Sequence, residues 1–261
     1  MLRGYYTSIS SMLELQARQN VTANNIANIN TTGYKSESVV SKPFDEVMLA
    51  NKDKYLNGES RTQILGGLST GVRIDETITN HSQGTVVSDD SNTSFALTSD
   101  GMFTVQKGDG TTAYTRSGVF KIDRDGYLVT TEGYNVMGVR TGTGALEPIK
   151  FESDEISMDY SNNILENGNP KYKFNIVNIT DTKSIEKGAD NTYTVIGNRN
   201  NVVQPLMNYT IQQNAKELSN VDLVTETTNL MTIMRAFEAN QSVVQAVDST
   251  LAQVASEIGK I

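Results

Sequence analysis

The most regular hydrophobic pattern in the chain lies near its C-terminal end. Apolar side chains recur seven residues apart from Leu223 to Ile258, and a second line follows three positions later from Ile233 onward. The two lines match the a and d positions of a heptad repeat, which predicts a long helix with a coiled-coil seam. Ser219-x-x-Asp222 resembles a capping box, so we expect the periodic part of the C-terminal core helix, within 213–261, to begin there. The apolar residues of the seam are Leu223, Leu230, Ile233, Phe237, Val244, Val247, Leu251, Val254 and Ile258.

A shorter amphipathic pattern predicts a second core helix over residues 1–30. Its apolar residues recur at three- and four-residue steps, and the pattern ends in an asparagine-rich stretch before Gly33. Asparagine is unfavourable inside a helix because its amide competes for backbone hydrogen bonds, so we expect these amides to make polar contacts between packed helices. The apolar residues expected on the packing face of this helix are Ile9, Met12, Leu13 and Ile26.

Residues 86–212 show the pattern of an antiparallel β domain. Short β-branched and aromatic runs alternate with turn signals, and Asp109-Gly110 and Asp125-Gly126 lie between such runs. Asp-Gly between apolar runs is the strongest short-range signal of a β-hairpin. We interpret residues 31–85 as an extended linker with a short helix near 43–50. The predicted fold class is therefore α+β, with an antiparallel β-rich middle domain between long N- and C-terminal helices that form a coiled-coil core.

The predicted C-terminal helix carries more apolar length than the rest of the chain covers. A helix of about 40 residues is roughly 60 Å long, whereas an N-terminal helix of about 28 residues reaches only about 40 Å. Met231, Met234 and Val243 widen the apolar stripe beyond the seam. Each such side chain gains about 1.5–3 kcal/mol on full burial, so we predict that neighbouring subunits cover the apolar residues of both helices. A helix folded back on itself or held by a chaperone would also cover them.

Composition excludes several classes of function. The chain has 22 Lys and Arg against 30 Asp and Glu, and a net charge of -8 disfavours binding to a phosphate backbone, so we expect no nucleic-acid partner. The absence of cysteine excludes a disulfide framework, a thiol nucleophile and cysteine-ligated zinc. No apolar run is typical of a secretory signal or of a spanning helix, so we expect no direct membrane insertion and export by a route other than the Sec pathway.

No motif in the chain predicts catalysis. His81 is the only histidine, and its segment is typical of a polar turn. Asp123-x-Asp125-Gly126 lacks the remaining ligands of a calcium loop and predicts a hairpin turn. The glycine-rich segment 66–71 has no Gly-Lys-Ser/Thr and predicts a flexible connector. We therefore expect no catalytic residue, no metal, no cofactor and no enzymatic activity.

Three ordered groups of motifs resemble the flagellar rod and hook protein family. Near the N-terminus, Asn24-Asn25-Ile26-Ala27-Asn28 and Thr31-Thr32-Gly33-Tyr34-Lys35 are similar to the family's N-terminal signature. In the middle, Gly101-Met102-Phe103, Tyr114-Thr115-Arg116-Ser117-Gly118 and Gly126-Tyr127-Leu128-Val129-Thr130 resemble its shared β domain. Near the C-terminus, Ser219-Asn220-Val221-Asp222 and Arg235-Ala236-Phe237-Glu238-Ala239-Asn240 are similar to its closing helix motif. The signature residues are Asn24, Asn25, Asn28, Gly33, Tyr34, Ser219 and Asn220.

The resemblance implies a self-assembling structural subunit of the bacterial flagellar basal body. The two terminal helices would form the inner tube of an axial rod that transmits torque to the hook, and the β domain would form its outer layer. The implied partners are identical subunits, neighbouring rod and hook proteins, and the flagellar type III export apparatus. The length of 261 residues and the segment His81-Ser82-Gln83-Gly84 resemble the distal rod members most, with the proximal rod members as the alternative.

One segment departs from the family pattern. Where the family usually has Gln-Gly ahead of the final helix, this chain has Gln213-Asn214, and Lys216 stands where an apolar residue is common. Asparagine is the residue that best replaces glycine at positive φ. We therefore expect the turn at this position to be kept.

A function of a different class is also compatible with helices at both ends of a β domain. In that alternative the chain is a β-domain binding module or adhesin, and its helices serve only as a coiled-coil oligomerisation stalk. The asparagine-rich N-terminal signature favours the rod protein, because a plain stalk does not require it.

Overall fold

The computed structural model describes residues 2–56, 59–152, 156–181, 184–196, 202–206 and 208–259; the side chains of Leu2, of residues 51–63 and of Ile258 are not described. The chain forms two compact units. The first comprises Met1–Ala27, Glu37–Asn80 and Asp222–Ile261, and the second comprises Asn28–Ser36 and His81–Val221. Both long helices belong to the first unit and the β domain to the second, which confirms the α+β fold class.

Two long helices are the main elements of the first unit. Helix α1 spans Leu2–Ala27 and helix α2 spans Leu223–Ile258. At 1.5 Å per residue they are about 39 Å and about 54 Å long. Their existence follows from the two amphipathic patterns of the sequence, and the difference in length leaves α2 with more surface than α1 covers.

The start of α2 differs from the predicted capping box. The Asp222 carboxylate accepts hydrogen bonds from the Val224 N–H (3.3 Å) and the Thr225 hydroxyl (2.5 Å), so Asp222 is itself the N-cap. Ser219 makes no cap; its hydroxyl accepts from the Val221 N–H at 3.3 Å. The reason is positional, because the side chain of the residue directly before the first helical turn reaches the unpaired N–H groups.

Four strands complete the first unit. They are β1 Glu37–Pro43, β2 Val47–Leu56, β3 Glu59–Leu68 and β4 Val72–Thr79. β1 pairs antiparallel with β4, and β2 pairs antiparallel with β3. In place of the short helix expected near 43–50, the structure has the end of β1 and the start of β2. Gly66 and Gly67 lie in β3 rather than in a flexible connector, because cross-strand pairing overrides the weak local preference of glycine.

The second unit is an antiparallel β domain. In its described residues, thirteen strands form one sheet, and two further pairs join strands near its two chain ends. The strands are β5 Val86–Ser88, β6 Phe95–Leu97, β7 Met102–Gln106, β8 Thr112–Thr115, β9 Phe120–Ile122, β10 Leu128–Thr130, β11 Asn135–Arg140, β12 Leu146–Pro148, β13 Ile156–Met158, β14 Asn163–Glu166, β15 Asn169–Phe174, β16 Ile176–Ile179, β17 Ile185–Lys187, β18 Thr192–Val195, β19 Val203–Pro205, β20 Ile211–Gln213 and β21 Ala215–Glu217.

Strand order shows how the second unit closes. The longest path through the large sheet is β13-β14-β15-β11-β7-β8-β18-β17. Outside it, Ile211 of β20 lies opposite Leu97 of β6, and Ala215 of β21 lies opposite Ser88 of β5. The last strands of the unit therefore pair with its first strands, which brings the segment before α2 back to the start of the domain.

The turns of the second unit confirm the local predictions. Gly110 and Gly126 have φ of 82° and 83° in the turns between β7 and β8 and between β9 and β10. The Gly126 N–H donates to the Asp123 carbonyl at 2.9 Å, so the Asp-x-Asp-Gly segment is a hairpin turn. Asn214 has φ 55° between β20 and β21, so the turn expected at this position is present.

Four phenylalanines form the centre of the core of the second unit. They are buried and come from four separated strands or strand ends, with ring centroids 4.9 to 6.4 Å apart. Edge-to-face aromatic pairs of this kind contribute about 0.5–1.5 kcal/mol beyond area burial. This core fixes the scaffold on which the charged residues described below are held. The four residues are Phe95, Phe103, Phe120 and Phe174.

Candidate assembly site

Helices α1 and α2 pack against each other in the first unit. Near the end of α1, Asn25 Nδ2 donates to Glu226 Oε1 in the first turn of α2 at 3.3 Å. Val21, one turn before Asn25 in α1, and Ile233, two turns after Glu226 in α2, line one groove. Moving back along α1 from Asn25 therefore corresponds to moving forward along α2, so the two helices are antiparallel.

The predicted seam of α2 is covered in its middle and exposed at its ends. Ile233 is only 9% exposed. The half-buried seam residues are Leu230, Phe237, Val244 and Val247. The exposed ones are Leu223, Leu251 and Val254, and the side chain of Ile258 lies outside the described residues. On α1, Ile9, Met12 and Ile26 are half-buried and Leu13 is 60% exposed.

Helix length explains the exposure at the far end of α2. Asn25 lies beside Glu226, and α1 continues back only to Leu2, which carries it along the antiparallel partner to about residue 249. Leu251 and Val254 lie beyond that point. The last turns of α2 therefore present seam residues that α1 does not reach.

A second set of apolar residues on α2 lies off the seam. With Leu223 at heptad position a, Val224 and Met231 fall at b, Met234 at e and Val243 at g. Val224 is 72% exposed, Met231 54% and Val243 47%. Apolar side chains on both flanks of a helix that is already paired on its seam form a surface suited to further helices. We call this set, with Leu251 and Val254, the open face of α2.

The contacts of the buried Asn25 explain why an asparagine is present inside α1. Asn25 Nδ2 donates to the Glu37 carbonyl at 2.9 Å, and the Glu37 N–H donates to Asn25 Oδ1 at 3.0 Å. One side chain thus satisfies both backbone groups at the start of β1 and also contacts Glu226 of α2. Asn24, by contrast, is exposed. The predicted contact between helices is present at Asn25, and the contact with a strand is additional.

The second unit holds a buried ion cluster that joins residues of two sequence motifs to a residue just before the third. Lys35 Nζ lies 2.6 Å from Glu217 Oε1, and Arg116 Nε lies 2.6 Å from Glu217 Oε2. All three residues are buried. Lys35 ends the N-terminal signature and Arg116 lies in the central motif. Glu217 lies two residues before Ser219, where the C-terminal motif begins. The sequence analysis did not identify Glu217. The signal was that Lys35 and Arg116 stand inside motifs of a β domain, because two buried cations require a carboxylate partner.

Other signature residues make further contacts near the buried ion cluster in the second unit. The Ser36 N–H donates to Asn220 Oδ1 at 2.8 Å, and Asn220 Nδ2 donates to the Ser82 carbonyl at 3.2 Å. Lys187 Nζ lies 3.7 Å from the ring centroid of Tyr34. Asn28 Oδ1 accepts from the Thr31 hydroxyl at 3.1 Å. These signature residues therefore make contacts within the second unit, whereas Asn25 makes its contacts within the first.

Gly33 is required by both its backbone conformation and its surroundings. Its φ is 68°, and a Cβ at this position would lie 2.4 Å from Ser117 N. Its N–H donates to the Glu217 carbonyl at 2.8 Å. A side chain would therefore push the segment around Gly33 away from the segments that carry Ser117 and Glu217.

Three family models match segments that together include both ends and the middle of the chain. The model for flagella basal body rod protein matches residues 6–35, the flagellar hook protein FlgE/F/G D1 domain matches 96–180, and the flagellar basal body rod FlgEFG protein C-terminal matches 212–257. The chain is also 32% identical to the flagellar basal-body rod protein FlgG of Bacillus subtilis, over 97% of this chain and 98% of the relative. The chain belongs to the flagellar basal-body rod and hook protein family.

Further relatives in this rod and hook family are similar over comparable lengths. The flagellar hook-basal body complex protein FlhO of Bacillus subtilis is 31% identical over 100% of both chains. The flagellar basal-body rod protein FlgF of Caulobacter vibrioides is 32% identical over 98% of each. The family segments coincide with the structural ones, since 6–35 spans most of α1 and the signature, and 212–257 spans β21 and nearly all of α2.

His81 has a different environment from the polar turn that its segment predicts. It is half-buried, its ring lies 5.7 Å from that of Tyr193, and its Nδ1 has no hydrogen-bond partner among the described residues. Burial lowers the pKa of His81, and the charges of Lys35, Lys187 and Arg116 lower it further. Burial also lowers the pKa of Lys35, although its hydrogen bond to Glu217 opposes that effect.

Two negative findings apply to the described part of this rod-family chain. Neither helix there is both long and apolar enough to cross a lipid bilayer. Over the same residues, His, Asp and Glu side chains form no group of three or more that could hold a metal ion.

Proposed function

We propose that this chain is a structural subunit of the axial rod of the bacterial flagellum and that it assembles through the open face of α2 and the exposed residues of α1. Its partners in this proposal are identical subunits and neighbouring rod and hook proteins. The role is mechanical: helices packed side by side around an axis carry torque to the hook, and no catalytic step is assigned to the chain.

The single observation that carries the proposal is the open face of α2. The seam residues in the middle of α2 are already half-buried or buried within the chain. Val224, Met231 and Val243 nevertheless remain about half or more exposed. Complete burial of such a side chain is worth about 1.5–3 kcal/mol, so several together supply a strong drive for association. Burial of the open face requires a long helix as the partner, and another subunit of the same family has such helices.

The family resemblance supports the arrangement of the assembled rod. In it, α1 and α2 of successive subunits form the inner tube, the β domain forms an outer layer, and the flagellar type III apparatus exports the chain. The clustered signature contacts of the second unit support a rigid β domain suited to transmitting force. The proposed location is the basal body.

We assign the chain to the distal rod on its length and its His81-Ser82-Gln83-Gly84 segment, with the proximal rod as the alternative. Relatives named FlgG and FlgF are equally identical to it, at 32%. Electron cryotomography of basal bodies from a deletion strain tests the assignment. A rod that ends short of the hook with its membrane-proximal part intact is expected, and loss of the proximal part would favour the alternative.

Charge placed on the open face tests assembly. Met231→Asp and Val243→Asp are expected to abolish filament formation by the purified chain and to abolish motility, because a carboxylate would be buried between helices without a partner. Ser242→Asp is the matched control, since it adds the same charge at an exposed f position of α2, outside both the seam and the open face. Circular dichroism of the monomers should remain unchanged in all three variants.

Seam variants show what loss of helix pairing looks like, for comparison with the open-face variants, which should lose assembly alone. Phe237→Asp and Val244→Asp are expected to weaken both, since these residues are half-buried within the chain. Normal rods from Met231→Asp and Val243→Asp subunits would show that the open face is not an interface and would refute the proposal.

A further inference from the structure

A cavity of about 110 Å³ lies in the second unit beside the buried ion cluster. Lys35, Arg116 and His81 line it, and Asp100 lies at its exposed edge. A cavity that holds one water needs on the order of 10–15 Å³, so this one has room for several waters or for a small ion with oxygen atoms. Its lining contains nitrogen donors in excess of oxygen acceptors.

Lys35 and Arg116 have hydrogen-bond donors to spare at this cavity. The Lys35 ammonium has three N–H donors and uses two within the described residues, to the Ser82 carbonyl at 2.8 Å and to Glu217 at 2.6 Å. The Arg116 guanidinium has five and uses three there, to Glu217 at 2.6 Å, to the Gly101 carbonyl at 2.5 Å and to the Leu97 carbonyl at 3.1 Å. One lysine donor and two arginine donors are left.

His81 adds a further polar atom without a partner. Its Nδ1 is buried and makes no hydrogen bond among the described residues. A neutral imidazole carries its proton on either ring nitrogen, so Nδ1 can serve as a donor to an oxygen in the cavity. Buried polar atoms without partners are rare and destabilising, which favours a ligand that accepts hydrogen bonds.

The charge balance of the cluster points to the same ligand. One carboxylate, that of Glu217, contacts two cations, Lys35 and Arg116. Lys187 is close enough that its charge acts on His81. Excess positive charge in a desolvated site is costly, and a bound anion offsets that cost. Asp100 opposes an anion, but its carboxylate is exposed, so solvent weakens its repulsion.

We propose that this cavity binds a small oxyanion, either a carboxylate or a phosphate group, through the free donors of Lys35, Arg116 and His81. A bidentate or tripodal set of oxygens matches nitrogen donors of this kind. A carboxylate would come from an Asp or Glu side chain of a neighbouring subunit, and a phosphate group would come from the free ion. The site is independent of the open face of α2.

The only histidine of the chain makes the test direct. The ring resonances of His81 in the full-length protein are followed by NMR at pH 7 as sodium phosphate or sodium acetate replaces sodium chloride at constant ionic strength. A saturable shift is expected, with a rise of Tm that continues with the logarithm of the anion concentration. Saturation with phosphate alone assigns a phosphate site, and saturation with acetate assigns a carboxylate site.

Two matched variants locate the binding. Asp100→Asn removes the repulsion at the edge of the cavity and is expected to lower the apparent Kd by up to about fivefold. Asp90→Asn removes an equal charge from an exposed residue outside the cavity lining and is expected to leave Kd unchanged. Unshifted His81 resonances, a drift that is linear and the same with chloride, or equal effects of both variants would each overturn the proposal.

Discussion

Glu217 shows how much depends on single buried residues in this rod-family chain. Its two carboxylate oxygens are divided between Lys35 and Arg116, and Lys35 lies 182 positions away in the chain. Oε1 also accepts from the Gly84 N–H at 2.9 Å. Three segments that are remote in sequence therefore meet at one side chain. Removing one member of a buried cluster costs more than the cluster adds, because the remaining charges lose their compensation.

Neutralising Glu217 is expected to destabilise the second unit strongly. Glu217→Gln leaves Lys35 and Arg116 without a counter-charge, so the free energy of unfolding should fall by about 3–5 kcal/mol. Urea unfolding followed by tyrosine fluorescence measures this, since the chain has no tryptophan. Glu152→Gln is the control, because Glu152 is 86% exposed and 3.9 Å from Lys171, and it should change stability by less than about 0.5 kcal/mol.

A double substitution distinguishes charge from packing at Glu217. Lys35→Met with Glu217→Gln should be less destabilising than the sum of the single changes, because each removes the charge that the other leaves unpaired. Strict additivity of the two changes would contradict an electrostatic role for the pair.

Gly33 offers a second residue-scale test. Gly33→Ala adds a Cβ that meets the Ser117 backbone at 2.4 Å, whereas Gly133 has a similar φ of 87° and nothing within 4 Å of an added Cβ. Gly133→Ala should therefore cost only the conformational strain, about 1 kcal/mol. Gly33→Ala should lower the free energy of unfolding clearly more than Gly133→Ala in the same measurement. Equal decreases would mean that the backbone near Ser117 moves away from the added Cβ at no energetic cost.

At the scale of elements, the two helices differ in how much of their surface is paired. α1 is about 39 Å long and α2 about 54 Å, and their antiparallel contact begins at Asn25 and Glu226. The heptad pattern of α2 continues past the end of that contact without weakening. A helix segment that lacks a packing partner is stabilised by local propensity alone, which is marginal for short segments.

Hydrogen exchange on the isolated chain tests this difference within α2. Amides of residues 250–258 are expected to exchange markedly faster than those of residues 228–247, because α1 does not reach the last turns. Within an assembled rod the same amides should become protected. Uniform protection along α2 in the isolated chain would show that its end is already covered and would leave the open face shorter than we infer.

At the scale of the whole molecule, acid sensitivity depends on groups whose pKa the fold shifts. In the unfolded chain the ordinary pKa of His81 is about 6.5, so this side chain is mostly neutral at pH 7 in both the unfolded and the folded state. Burial and three neighbouring cations lower its pKa in the folded chain. Below pH 6.5 the unfolded chain therefore takes up this proton more readily, and stability falls as the pH falls.

Replacing the single histidine should remove this part of the acid sensitivity. The free energy of unfolding of the wild-type chain is expected to fall between pH 7 and pH 5 relative to that of His81→Gln, and the difference should be constant above about pH 8. Denaturant unfolding at a series of pH values measures it. Parallel curves for the two chains across this window would show that His81 keeps its ordinary pKa in the folded protein.

Sequence alone determined the two helices, the β-rich middle and its Asp-Gly turns, because these follow from local periodicity and backbone preference. It also carried the motifs that place the chain in the rod and hook family. Tertiary structure alone decided which heptad residues stay exposed, that residues 37–79 form strands, and that Glu217 joins Lys35 to Arg116. The physical reason is distance along the chain: a local pattern specifies an element, but its partner is chosen by contacts between residues far apart in sequence.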